Sequence, residues 1–160
     1  MMSTNLIGLD KQGAGALAEQ LNGLLANYQV LYMNVRGFHW NVQGANFFEL
    51  HAKFEEIYDQ LLIKVDELAE RILTLGQQPL HGFSDYLSRA QLDEAKNVHD
   101  GHVAVENILG AYQLLLGQQR KILAAAAELG DEGTVSLLSD YISQQEKESW
   151  MLAAYQGRRA

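Results

Sequence analysis

Apolar residues recur at steps of three and four along most of the chain, the spacing that lines one face of an α-helix. From about Gly15 to Phe38, Leu17, Leu21, Leu24, Tyr28, Leu31, Val35 and Phe38 form the first such face. The stretch "NVQGAN" at 41–46 interrupts it, and Asn46 is suited to cap the next helix. A second segment runs from about Phe47 to Leu75 and meets Gly76, a residue fitted to the left-handed turn past a helix end. Its stripe is Leu50, Phe54, Ile57, Leu61, Val65, Leu68 and Ile72, with Lys53, Gln60, Lys64, Glu67 and Arg71 on the opposite side. The next stretch, "QQPLHGFSDYLSRAQLDEAKNV", is too long for a hairpin between adjacent helices and has room for a short helix near Tyr86–Ala90. A third segment spans about His102 to Leu129 and closes on Gly130. A fourth spans about Thr134 to Tyr155.

Two short connections and one long one predict an all-α fold. They give a ferritin-like four-helix bundle, with a short extra helix in the long crossover between helices two and three. No internal repeat or composition break divides the chain, so residues 1–160 read as one domain. A single proline in 160 residues agrees with long uninterrupted helices.

Composition narrows the chemistry. The chain has no cysteine, which removes disulfides and thiolate metal sites and fits a reducing cytoplasm. The N-terminus lacks a basic stretch followed by an apolar run, so no signal peptide is expected. No apolar run approaches the ~18 residues that span a bilayer, so no membrane partner is expected. A formal net charge of −8 argues against holding DNA phosphates by bulk charge and favours attraction of cations.

The second helix carries the candidate site. With His51 at zero on a wheel of about 100° per residue, Glu55 falls near 40°, Asp66 near 60°, Asp59 near 80° and Glu70 near 100°. All share a sector with the apolar Leu62, Ala69 and Leu73. Carboxylates beside apolar groups are costly when covered, unless paired or bound to a cation. His51 and Glu55 are four apart, as are Asp66 and Glu70, so each pair meets on the surface. From His51 to Asp66 is fifteen residues, roughly 22 Å of helix. One metal site cannot span that. Two antiparallel copies across a two-fold axis can, because each His51/Glu55 end then faces the partner subunit's Asp66/Glu70 end. His39, folded back by the short turn, approaches His51 of its own chain. Mixed nitrogen and oxygen donors suit iron, and zinc is also chemically allowed. Taken singly, each of these residues reads as a solvated acid or a structural histidine. Their complementary spacing makes them a set. Phe47, Phe48, Phe54 and Trp40 read as core.

The remaining motifs are plain. His99 and His102, three apart, read as exposed groups at the start of the third helix, and His81 has no evident partner. No P-loop or dinucleotide pattern is present. No Glu-x-x-His motif is duplicated, which argues against a di-iron centre inside a single bundle.

The stretch "HWNVQGANFFELHAKFEEIYDQLLIKVDELAER" resembles the signature of the Dps family, the mini-ferritins. The matching features are His-Trp, Gly-x-x-Phe, a second His twelve residues after the first, an acid four later, and Asp-x-x-x-Glu-Arg. The resemblance extends to "LNGLLANYQVLYMNVRG" and "DEGTVSLLSDYISQQEKESWML". It implies a hollow shell of twelve subunits that oxidises Fe(II), preferentially with hydrogen peroxide, and stores the ferric product. It also implies that iron is held by His39, His51 and Glu55 of one subunit with the partner subunit's Asp66 and Glu70. Trp40 would sit beside the site to intercept radicals. Acids near the start of the fourth helix, Asp131, Glu132, Asp140 and Glu146, would line an iron-entry pore, although Asp131 and Glu132 also suit a helix N-terminus by themselves. The chain departs from the family's DNA-binding members, which carry a mobile basic tail. Here Lys11 stands alone near one end and Arg158 and Arg159 at the other. DNA binding is therefore not expected without bridging cations, and a nucleoid-coating protein is the alternative reading.

Overall fold

The computed structural model describes residues 3–159, and within them it holds five helices and no strand. α1 spans Lys11–Asn41, α2 Phe47–Thr74, α3 Phe83–Arg89, α4 Gly101–Leu129 and α5 Glu132–Tyr155. The order is the ferritin-like bundle that the connections predict, with α3 as the short helix in the crossover.

The helix ends explain where the boundaries differ from expectation. α1 starts before Gly15 because the Asp10 carboxylate accepts the Gly13 N–H at 2.8 Å, a good N-cap. α4 and α5 start earlier than expected for the same reason. Asp100 accepts from Val103 N and Asp131 from Thr134 N. Asn46 precedes α2 but makes no capping bond; its amide donates instead to the Tyr155 hydroxyl at 2.7 Å. Gly76 and Gly130 close α2 and α4 at φ 87° and 77°, the left-handed region that favours glycine. α3 lies three residues before its expected start.

The apolar stripes meet in one core. Tyr28, Leu31, Val35 and Phe38 of α1 pack with Phe54, Leu61, Leu68 and Ile72 of α2, closed by Ile108, Leu115 and Leu138 of α4 and α5. Inside it, three polar side chains satisfy one another. Tyr28 donates to Gln119 Oε1 at 2.5 Å, Gln119 to Gln145 Oε1 at 2.8 Å, and Gln145 to the Tyr28 hydroxyl at 2.6 Å. This closed ring ties α1, α4 and α5 and leaves no buried polar atom of the three groups idle.

The polar side expected of α2 is only partly solvated. Lys64 is buried, donating to Gln144 at 3.0 Å with its ammonium over the Tyr141 ring. Arg71 pairs with the buried Asp131 and donates to Thr134 Oγ1. α5 covers this side, because a helix in a bundle touches more than one neighbour. The expectation of core positions fails for two aromatics: Phe54 is buried and Phe47 half-buried, but Phe48 is 85% and Trp40 58% exposed.

The crossover is held by main-chain recognition. Three asparagines of α1 carry it, at 22, 27 and 34. Asn22 accepts from Leu80 N and donates to Gln78 O. Asn27 accepts from Gln91 N and Leu92 N. Asn34 accepts from Ala95 N and donates to Asp93 O. No residue of α3 is buried. Among the described residues, no helix is long and apolar enough to cross a membrane.

Candidate metal centre

The C-terminal turn of α1 and the N-terminal turn of α2 lie side by side, and each offers one imidazole. His39 Nδ1 lies 2.7 Å from the carbonyl of His51, and His51 Nδ1 lies 2.8 Å from the carbonyl of His39. A carbonyl only accepts, so each Nδ1 carries a proton, and the neutral form of each ring has its lone pair on Nε2. The His39 carbonyl belongs to the last turn of α1, where Gln43 N turns away to His99 O, so His51 supplies a partner to a helix-end group. The rings stack at 3.7 Å and 16°. Both are thereby fixed in tautomer and orientation, as second-shell hydrogen bonds do for metal-ligating histidines.

Two more residues frame the pair, and sequence reasoning missed both. Tyr58 lies edge-on to His39 at 5.2 Å, and Phe47 stacks on His51 at 5.0 Å. Arg36 lies over Tyr58 at 4.8 Å. Desolvation, and then the charge of Glu55, push the Tyr58 phenol above its ordinary value, with Arg36 opposing. The signal was available. Tyr58 follows His51 by seven residues, two turns along the same face, and Arg36 precedes His39 by three.

Glu55, Asp59, Asp66 and Glu70 are all exposed. Large apolar side chains share their sector: Phe48, Leu62 and Leu73 are 85%, 48% and 58% exposed. The chain alone therefore imposes no desolvation on these acids. Covering the face would. An exposed strip that mixes large apolar groups with carboxylates is the kind of surface that marks an interface. Among the described residues, no three His, Asp or Glu side chains are arranged to hold one metal ion. α2 is unbroken from Phe47 to Thr74, which keeps Asp66 and Glu70 apart from the imidazoles. One chain thus presents His51 and Glu55 near one end of this face and Asp66 and Glu70 near the other.

The other candidate acids have varied surroundings. Asp131 is buried and already taken, by Arg71, by Thr134 N and by the Thr134 hydroxyl. Glu132, Asp140 and Glu146 are exposed, and Glu146 faces Arg120 at 3.5 Å. His99 and His102 do not converge: one turns to Asn41 O, the other to Gln156 and the Tyr155 ring. His81 turns to Pro79 O.

A family model described as a ferritin-like domain matches residues 18–159. The chain is similar to the Dps protein of Vibrio cholerae O1, at 58% identity, 98% of each chain covered and a TM-score of 0.96. That protein is described as a member of a broad superfamily of ferritin-like diiron-carboxylate proteins. It is similar also to the DNA protection during starvation protein of Porphyromonas gingivalis, 45% identical over 92% of this chain and 93% of that one. The Dps structure from Bacillus brevis is 35% identical, covers 91% of this chain and 97% of its own, and superposes with a TM-score of 0.88.

Proposed function

The chain belongs to the Dps family within the ferritin-like fold, and from that premise we propose that it oxidises Fe(II) at sites shared between two copies of itself and stores the ferric product in a shell. Membership supports iron storage and ferroxidase activity at the general level. The finer reading adds that hydrogen peroxide is the preferred oxidant and that the shell has twelve subunits built from two-fold dimers. The protein would act in the cytoplasm and limit oxidative stress.

One observation carries the reading. The two imidazoles lock each other's tautomers through main-chain carbonyls, which leaves two adjacent Nε2 donors with no complete ligand set among the described residues of their own chain. In the dimer, His39, His51 and Glu55 would hold iron together with the partner subunit's Asp66 and Glu70. The exposed Leu62 and Leu73 would be covered in the same contact. Iron is the substrate here. Two Fe(II) supply the two electrons that, with two protons, turn one peroxide into two waters. Both reactants of radical formation are thereby consumed together. Glu132, Asp140 and Glu146 are the acids left to guide iron inward, since Asp131 is occupied.

Coating of DNA is the weaker reading. The net charge of −8 repels phosphate, and Arg158, one of two cations at the C-terminus, is tied to Glu106 at 2.9 Å. The test is peroxide-driven Fe(II) oxidation by His39→Ala/His51→Ala. The expected result is a severe loss of initial rate in a shell of unchanged mass. A rate equal to that of the unsubstituted protein defeats the assignment.

A further inference from the structure

Residues 3–9, "STNLIGL", carry no charge in a chain of net charge −8. They fold into a closed hook ahead of α1. The Asn5 carboxamide oxygen accepts from Ile7 N at 3.2 Å and from Leu9 N at 2.9 Å, while Asn5 N donates to Leu9 O and Lys11 N to Ser3 O. Gly8 makes the reversal at φ 84°, in the left-handed region. Leu9 packs on the core, but the tip does not: Leu6 is 101% and Ile7 44% exposed. A single exposed leucine is ordinary on a surface. Here the hydrogen bonds fix the shape of the hook and hold its apolar tip away from the bundle. The Asn5 amide also donates to Leu75 O at 3.2 Å, which ties the hook to the C-terminal end of α2.

That end carries Asp66 and Glu70. Leu75 lies five residues past Glu70, roughly 8 Å along the axis. In the antiparallel dimer proposed above, it is the end that meets the partner subunit's imidazoles. Setting the middle of the Asp66/Glu70 pair against the middle of the partner's His51/Glu55 pair fixes the register. Leu73 then lies opposite the partner subunit's Phe48, and Leu75 opposite the partner subunit's Asn46. In one chain Phe48 is 85% and Leu73 58% exposed. We infer that the hook of each subunit caps the imidazole end of its two-fold partner, with Leu6 and Ile7 packed on the partner's Phe48. The inference rests on the shared-site reading, which supplies the register. The occupant is a second copy of this chain because the hook is anchored where that copy's uncovered phenylalanine arrives. The cap closes one rim of the iron site with apolar groups and keeps water from the imidazoles on that side.

The chain has no cysteine, so an introduced pair of thiols has no competitor. The experiment treats assembled, iron-free Leu6→Cys/Phe48→Cys with bismaleimidoethane, a short thiol-to-thiol linker, and reads the product on a denaturing gel. The linker cannot join the two positions inside one chain, since Phe48 and the Leu75 anchor lie roughly 40 Å apart along α2. A two-fold contact is reciprocal, so cross-linking should stop at the dimer. Leu6→Cys/Ala45→Cys keeps Phe48 and should give the same dimer, which covers the case in which Phe48→Cys fails to assemble. A ladder to trimers and beyond puts the hook on a different neighbour and overturns the inference. No cross-link in either pair overturns it too, as does an equal yield from the single-cysteine variants. Ile7→Asp added to either pair should slow the cross-linking by about tenfold, because a charge then replaces part of the apolar cover. An unchanged rate means proximity without packing and defeats the cap. Cross-linking needs no iron, so a failure of the ferroxidase reading would show separately, in the Fe(II) assay.

Discussion

Two inactive proteins should make an active one. Consider His39→Ala/His51→Ala and, separately, Asp66→Ala/Glu70→Ala. On the proposed shared site each removes one half of every site, so neither alone should oxidise Fe(II) at speed. α2 is continuous through His51, Asp66 and Glu70, and the fifteen residues from His51 to Asp66 hold the two ends about 22 Å apart, against metal–ligand bonds of about 2 Å. Mixing the unfolded chains in equal amounts and reassembling them pairs them at random. About half of the two-fold dimers are then mixed. In a mixed dimer the intact imidazoles of one chain face the intact acids of the other, and the second site has lost both halves. About a quarter of the parent's sites are restored, and the initial rate of peroxide-driven Fe(II) oxidation per mass should recover to about that fraction. The assay is stopped-flow absorbance of the ferric product, with native mass spectrometry to establish mixed shells. A mixture no more active than its parents, in shells shown to be mixed, refutes the shared site. Recovery close to the full parental rate refutes it too.

Other outcomes follow from the packing. Asp131→Ala removes the cap of α5 and strands Arg71, and should lower stability by about 3–5 kcal/mol in urea unfolding at fixed protein concentration. Gly133→Ala would set a methyl carbon 2.7 Å from Arg71 Nη1, and the same measurement should show a loss of about 1–3 kcal/mol. Gln119→Leu breaks the buried ring and leaves the Tyr28 hydroxyl and the Gln145 amide short of partners, for a loss of about 1–3 kcal/mol per idle group. Lys64 is held below its ordinary 10.5, first by desolvation, while Glu67 and Glu148 oppose. The unfolded chain therefore binds the extra proton in the window between the lowered value and 10.5, so this group's contribution to stability rises with pH there. The parent should gain on Lys64→Met as pH climbs through that window, and a constant difference between them would contradict the burial argument.

What the sequence disclosed followed from periodicity. The stripes of α1 and α2 are regular, so the bundle and the separation of His51 from Asp66 along α2 can be read without coordinates. Lys64 and Arg71 fall opposite the apolar stripe because a wheel divides a helix into two sides, whereas α5 packs against that second side. Trp40 and Phe48 read as core on spacing alone, yet a single chain leaves both uncovered. Asn46 was read as a cap from its position, but its amide serves Tyr155, a residue 109 positions away that no local rule could find. Arg36 is overlooked for a different reason. Its partners are rings, not acids, and charge pairing is the pattern one looks for around an arginine. The reciprocal imidazole–carbonyl bonds depend on how two helix ends abut, which spacing alone does not set.

The asparagines of α1 have a consequence for how this chain tolerates mutation. Asn22, Asn27 and Asn34 bond to amide and carbonyl groups of residues 78–95, not to their side chains. Peptide groups are the same in nearly every amino acid. The crossover can thus exchange many of its side chains while its path stays put, apart from Tyr86, Leu92, Ala95 and Val98, which pack against the core, and Arg89, which bonds to Glu19, whereas each of the three asparagines is irreplaceable by any residue that lacks both a donor and an acceptor at that reach. Mutational tolerance should be high in the segment that is held and low in the helix that holds it. New outer surfaces can then arise there by drift, at no expense to the bundle beneath.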